Sequence, residues 1–289
     1  MGATGIPVID TSVRQLYATG YLHNHQRLWL ASYIIHYRKV DWRAAAEWMY
    51  GHLMDGDLAS NHLSWQWVAG TFSQKPYLFN AENVERFAPG LQSRDTQIDT
   101  SYEALEALAM RQASLPAENV RPLPCREPAL LNRPEFQSAG ADLQLLTRNR
   151  HVALIHPWSL GRRPNADCVI GIIHLPFHKR FPWSAKRWDF VMSRMRLLCD
   201  VLHVGDLEHA DRWLKTVASV QCQRTANPGY AHCLSQAGVA MIDPPQAFPD
   251  PGIPCASFSV WLRAVSQRAP GLFQSSLAEQ IARQKHGLD

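Results

Sequence analysis

The chain has 289 residues, 46% of them apolar and 19% charged, which excludes a generally disordered polypeptide and suggests one large domain or two of ordinary size. It has no apolar run of roughly 18 residues, so no membrane span is expected. The formal net charge of +4 is uneven: residues 1–150 carry 14 basic against 15 acidic side chains, and residues 151–289 carry 15 against 10. MGATGIPVID lacks the basic and apolar regions of a signal peptide, and Ile6 stands where a myristoylation signal wants Ser or Thr. The six cysteines (Cys125, Cys168, Cys199, Cys222, Cys233 and Cys255) include no C-x-x-C pair, so they read as reduced, mostly buried thiols of a cytoplasmic protein without a metal site.

The first half reads as helices. In HNHQRLWLASYIIHYRK, Leu28, Ala31 and Ile35 recur at helical spacing within a wide apolar band, which predicts a helix buried on most sides. DWRAAAEWMYGHLM is a second helix with Asp41 as its N-cap, and ASNHLSWQWVAG is a third beyond the turn Asp55-Gly56-Asp57. Thr100 and Glu103 have capping-box spacing at the head of SYEALEALAMRQA, and no strand is expected before residue 115. Pro116, Pro122, Pro124, Pro128 and Pro134 mark residues 116–148 as a linker.

Beyond the linker the period changes. HVALIHPW, CVIGIIHL, DVLHVGD, SVQCQRT and VAMID read as strands alternating with the helices AKRWDFVMSRMRLL (capped by Ser184), EHADRWLKTV and GYAHCLSQAG. This alternation predicts a parallel, Rossmann-like sheet with helices on both faces, although no G-x-G-x-x-G or Walker sequence accompanies it. The expected organisation is therefore a helical region over 1–115, a linker over 116–148 and an α/β domain over 149–289. Within 160–199, Arg162, Arg163, Lys179, Arg180, Lys186, Arg187, Arg194 and Arg196 face only Asp167 and Asp189. Such a stretch either binds phosphates and nucleic acid or is a solvated face whose arginines pair locally.

Residues 4–67 carry T-G-x-P-x-x-D, R-Q-L, T-G, H-N-x-x-R, D-W-R, D-G-D-L-A and N-x-x-x-W-Q-W in one order, with KPYLFN and IDTSYEALE as a weaker continuation. This run closely resembles the FAD-binding helical region of the DNA photolyase/cryptochrome superfamily. The resemblance implies an FAD cofactor held by Asn24, Arg27, Asp55, Asp57 and Asn61, with Arg27 near the polar edge of the flavin and Asn61 beside its N5. Read from the residues alone, Arg27 and Asp55 form a buried ion pair between helices, and Asn61 is a surface amide capping the preceding turn.

The resemblance assigns Trp65 and Trp42 to a chain that passes electrons to photoexcited flavin, whereas a buried tryptophan is by default core. The family's third tryptophan has no counterpart in these residues, and Trp48 and Trp29 are the two candidates to replace it, between which the sequence does not choose. Trp65, Trp42 and Asn61 would then be the catalytic residues. His23 and Asn24 match the pair of enzymes that repair cyclobutane dimers, and Trp67 matches an aromatic that stacks on a flipped base. Three departures stand out: the family's phosphate-binding segment has no counterpart in residues 1–289, His25 stands in place of an arginine, and Leu63-Ser64 replace Gly-Gly. A partner chain or a homodimer is accordingly expected to complete the FAD site.

VIGIIHLPF, RWDFVMSRMRLL, DVLHVGD and SFSVWLRAV are loosely similar to the family's α/β light-harvesting domain, here in swapped order, which leaves room for an antenna chromophore of unassigned chemistry. Together these readings predict a blue-light-driven flavoprotein acting in electron transfer and DNA repair, with weak DNA binding. The alternatives are a non-repairing light sensor and a catalytically silent interaction subunit.

Overall fold

The computed structural model describes residues 2–71, 75–111, 130, 135–136, 138 and 143–269. The five linker prolines and Cys125 lie outside them. The chain divides into two compact units, residues 1–242 and 243–289. The described helical region and the sheet both fall within the first unit.

All elements described before residue 112 are helical: α1 Pro7–Thr19, α2 Asn24–Ser32, α3 Trp42–His52, α4 Leu58–Ala69, α5 Ala81–Phe87 and α6 Tyr102–Met110. α1 begins with Pro at its first position and closes on Gly20 at φ 68°, a left-handed C-cap that glycine adopts without steric cost. In T-G-x-P-x-x-D, the Asp10 carboxylate accepts hydrogen bonds from Thr4 N–H at 2.7 Å, the Thr4 hydroxyl at 2.8 Å and Gly5 N–H at 3.2 Å, tying the entry segment to α1. Burial raises the Asp10 pKa, but these hydrogen bonds outweigh it and hold the carboxyl below its ordinary value.

The long helix expected after His23 continues past Ser32 as a π-helical turn, Tyr33–Tyr37. It ends before Lys39, whose Nζ donates to the Leu108 and Ala109 carbonyls at 2.7 and 3.1 Å. A cation thus meets carbonyls at the C-terminus of α6. Asp41 caps α3 as expected, its carboxylate accepting from Arg43 N–H at 2.8 Å. The cap of α6 differs by one residue: Ser101, not Thr100, accepts from Ala104 N–H.

After α7 (Leu143–Thr147) come strands β1 His151–Ile155 and β2 Cys168–His174, then helices α8 Leu175–Arg180 and α9 Ala185–Leu198. Strand β3 Val201–Gly205, helix α10 Asp211–Leu214, strand β4 Ser219–Gln223, helix α11 Pro228–Gln236 and strand β5 Ala240–Ile242 complete the unit. The strands pair in parallel in the order β3-β2-β1-β4-β5. β2 is buried along all seven residues, as its unbroken apolar run requires. The helix expected over EHADRWLKTV is reduced to a 3₁₀ turn, Leu207–His209, followed by the single turn of α10. Asp206 caps the first turn by accepting from Glu208 N–H, which ends the regular chain direction there.

The two apolar cores meet at α3. Trp29, Trp65, Met49 and Phe79 belong to the helical core, whereas Tyr50 packs into the core around β2, Trp183 and Trp188. α3 is fastened to the start of α9 by Ser184 N–H donating to Gly51 O at 3.0 Å and to the α8 terminus by a 2.6 Å Arg180–Glu47 ion pair. In the second unit, α12 (Phe258–Arg268) is capped by Ser257, and Arg268 donates to Asp250 O.

Of the described cysteines, Cys168, Cys222 and Cys233 are buried while Cys199 and Cys255 are half-buried, and all five are free thiols. No group of His, Cys, Asp or Glu among the described residues could hold a metal ion, and no helix among them is long and apolar enough to cross a membrane.

Candidate functional site

A cavity of about 310 Å³ opens between α2, α3 and α4. Its apolar lining residues are Leu28, Ala31, Met49, Leu53, Trp65 and Val68. Its polar lining residues are Asn24, Arg27, the turn Asp55-Gly56-Asp57, Ser60, Asn61 and Ser64. A flat heteroaromatic ring with a polar edge suits this mixed lining, because its faces need apolar cover and its edge needs donors and acceptors.

Helix spacing explains the gathering. Asn24, Leu28 and Ala31, with Arg27 beside them, lie along one side of α2, and Asp57, Asn61, Trp65 and Val68 follow at three- and four-residue intervals along α4. Asp57 is also the N-cap of α4, accepting from Ser60 N–H at 2.8 Å. Val68 O lies 3.0 Å from His36 Nε2, and burial pushes the His36 imidazole below its ordinary pKa, so this histidine is neutral near pH 7.

The Arg27–Asp55 pair is present, at 2.8 Å, but it is not buried: the two side chains are 26% and 51% exposed. The expectation of a buried pair is corrected here, because the turn carrying Asp55 stands at the rim of the cavity. Arg27 Nη2 meets both carboxylate oxygens and Nε donates to Leu22 O at 2.9 Å, which leaves Nη1 for a ligand.

Asn61 is buried rather than on the surface. Its Nδ2 donates across to Ala46 O in α3 at 2.9 Å, so the reading of a surface cap is set aside. That bond uses one of the two amide N–H groups, which leaves the other N–H and the carbonyl oxygen of Asn61 as polar groups of a cavity-lining residue.

The cavity therefore brings together Asn24, Arg27, Asp55, Asp57, Asn61 and Trp65, the last only 2% exposed. His23, Trp42 and Trp67 are not among its lining. His23 is the N-cap of α2, its ring nitrogen accepting from His25 N–H. Trp42 stands edge-on to His62, and Trp67 is 41% exposed and packed on Tyr77. Trp48 donates to the Tyr17 hydroxyl at 3.2 Å and Trp29 to Asn83 Oδ1 at 3.0 Å. His25 is stacked on Phe87 with ring centroids 4.5 Å apart.

Of the Leu63-Ser64 departure, only Ser64 reaches the cavity, while Leu63 faces solvent. The lining residues that sequence reasoning missed are mostly apolar, and Leu28, Ala31, Met49, Leu53 and Val68 look like any helix core. Half of the basic residues of 160–199 are committed. Arg163 pairs with Asp200, Arg180 with Glu47, Arg194 donates to the Leu160 and Gly161 carbonyls, and Arg187 is buried.

A family model described as the FAD binding domain of DNA photolyase matches residues 1–106. The helical region belongs to the photolyase/cryptochrome superfamily. FAD is the cofactor of this domain, and the mixed apolar and polar lining of the cavity suits its flavin ring. The match reaches through KPYLFN and IDTSYEALE, the stretches of weaker resemblance.

The deoxyribodipyrimidine photolyase of Agrobacterium fabrum is 33% identical over 138 residues, covering 43% of this chain and 29% of that one. Those of Streptomyces griseus and Escherichia coli are 47% and 43% identical over 70 residues, covering 24% of this chain and 15% of theirs. In each, the match spans less than a third of the relative's length. No solved structure matches the chain.

Proposed function

We propose that the chain is a photolyase-like flavoprotein in which blue light drives single-electron transfer, and that it acts on cyclobutane pyrimidine dimers. The observation that carries this reading is the convergence of Arg27, Asp55, Asn61 and Trp65 on one cavity within the matched region. When bound, FAD supplies the photochemistry, exchanging single electrons after excitation.

The protein's own part is electrostatic and steric. Arg27 sets positive charge at the polar edge, favouring negative charge on the ring. Asn61, held by Ala46, accepts a hydrogen bond from a ring N–H without itself giving up a proton. The apolar lining excludes water, and Trp65 is an oxidisable indole buried against the ring position, with Trp42 the next donor outward. His23, Asn24 and Trp67 are the residues proposed to meet the lesion.

Among the described residues Arg27 is the one cation in the lining, and it is already paired with Asp55. A diphosphate needs further donors, so we propose that the adenine-diphosphate half is completed by a partner chain or a second copy, and that this chain alone binds FAD with micromolar or weaker affinity. Residues 149–242 are proposed as a Rossmann-like, antenna-type region following the helical one.

Illumination of the FAD-loaded protein with a dimer-containing oligonucleotide tests the repair reading directly. Light-dependent return of intact pyrimidines supports it. Photoreduction of the flavin without any repair would leave the light-sensor reading in its place.

A further inference from the structure

Arg187 belongs to α9, on the sheet side of the unit, yet it reaches the turn that rims the cavity. It is 2% exposed. Nη1 donates to Tyr50 O at the end of α3, and Nη2 donates to Gly56 O at 2.7 Å. The guanidinium lies 4.0 Å from the Trp183 ring centroid and 4.5 Å from that of Tyr50. No carboxylate stands within ion-pair distance among the described residues, but Asp55 and Asp57 attract it through space. Burial pushes its pKa down to about 10, which leaves it charged at neutral pH.

Two features separate this arginine from ordinary helix glue. Its Nε has no hydrogen-bond partner among the described residues, so its desolvation is incompletely offset and it is a poor device for stability alone. It is also matched to a glycine: a Cβ on Gly56 would come 2.8 Å from Nη1 and 3.1 Å from Leu53 O. Arginine and glycine together fix where the carbonyl of the central turn residue points, and hence how Asp55 and Asp57 are presented to the cavity.

We propose that Arg187 is a positioning residue for the flavin site, by which the α/β region holds the Asp55-Gly56-Asp57 turn in its binding geometry. The proposal rests on the FAD reading of the cavity. Arg187 does not touch the ligand; it acts through Gly56 O and the charge it sets behind the two carboxylates.

The test uses the full chain with Arg187→Met, Arg187→Lys and, as a control on the same face, Arg180→Ala, which removes the exposed pair with Glu47. Two quantities are measured: backbone amide exchange at Gly56–Ser60 in ligand-free protein, and the FAD dissociation constant by flavin fluorescence titration. Arg187→Met is expected to speed exchange in the turn at least tenfold and to weaken FAD binding at least tenfold. Arg187→Lys, which retains the charge and one carbonyl contact, recovers part of both, and Arg180→Ala changes neither by more than twofold.

Native exchange in the turn with FAD affinity within twofold in both Arg187 variants would overturn this inference. Failure of the unaltered chain to take up any FAD even at saturating cofactor would overturn the reading beneath it. If Arg187→Met does not fold, Arg187→Lys carries the same comparison: an intermediate loss of affinity with faster exchange supports the proposal, and no change in either overturns it.

Discussion

Replacing Arg27 by Met separates the stabilising role of this residue from its role toward the ligand. In the structure Arg27 makes one ion pair, at 2.8 Å to Asp55, and one Nε–H hydrogen bond, at 2.9 Å to Leu22 O. Asp55 is half-exposed, so its loss of a partner is offset by water and the pair is worth about 0.2–1 kcal/mol. The Leu22 hydrogen bond adds about 0.5–1.5 kcal/mol. Unfolding free energy is therefore expected to fall by about 1–2.5 kcal/mol, well short of the 3–5 kcal/mol that breaking a fully buried pair would cost.

The ligand-side effect is larger. Loss of a charge-assisted contact of about 1.5–3 kcal/mol weakens FAD binding by roughly 10- to 150-fold. Urea unfolding of the ligand-free chain and FAD titration measure the two effects independently. Adding salt should shrink the stability difference, as befits an exposed pair. A stability loss above about 4 kcal/mol, or an unchanged FAD affinity, would refute the assignment of Arg27 to the cavity rim.

Trp65→Phe keeps an aromatic wall but removes the oxidisable indole. Blue-light photoreduction of bound flavin should slow at least tenfold for a stability cost of about 1–2 kcal/mol, and an unchanged bleaching rate would make Trp65 simply core. His36, His156, His174 and His203 are all held below the ordinary imidazole pKa by burial. The unfolded chain therefore binds more protons than the folded one below about pH 6.5, so stability is complete above that pH and falls as the pH drops toward the depressed folded values. Thermal melts between pH 7.5 and about 5 should show a progressive loss, and a flat profile would contradict the burial of these rings. With half of the basic stretch committed to carboxylates and carbonyls or buried, DNA binding by the isolated chain should be salt-sensitive, indifferent to lesions and in the range of about 10⁻⁴–10⁻⁶ M. A tenfold preference for a dimer-containing oligonucleotide, measured at two salt concentrations, would show a complete lesion pocket.

What the sequence made legible was local. Asp41 and Ser184 cap their helices as read, because a cap depends on one side chain and the next three amides. Even there, adjacent hydroxyls at Thr100 and Ser101 could not be ranked without the backbone angles of the turn. The short helix α5, capped by Asn80, was too brief to leave a periodic trace. The Arg27–Asp55 pairing followed from spacing and resemblance, but its exposure did not, since exposure depends on how α2 and the 55–57 turn meet. Asn61 shows the same limit: its position in the motif was readable, whereas the Ala46 contact that uses one of its amide N–H groups was not. Arg187 left no trace at all, because its partners are backbone carbonyls 131 and 137 residues away. In the sequence it was one of eight basic residues in a surface-like run.

The central claim is that the cavity between α2, α3 and α4 holds the flavin ring, and Ser64→Trp tests it most directly. Ser64 lines the cavity from the exposed side of α4, and its hydroxyl donates to Ser60 O of its own helix. A bulky side chain there should block the ring while changing unfolding free energy by no more than about 0.5 kcal/mol. The measurement is FAD titration of the unaltered chain and the variant, with melting temperatures taken alongside. Measurable binding to the unaltered chain, weakened at least 100-fold in a variant that melts normally, is the expected result; equal affinity in the two would place FAD elsewhere and contradict the account.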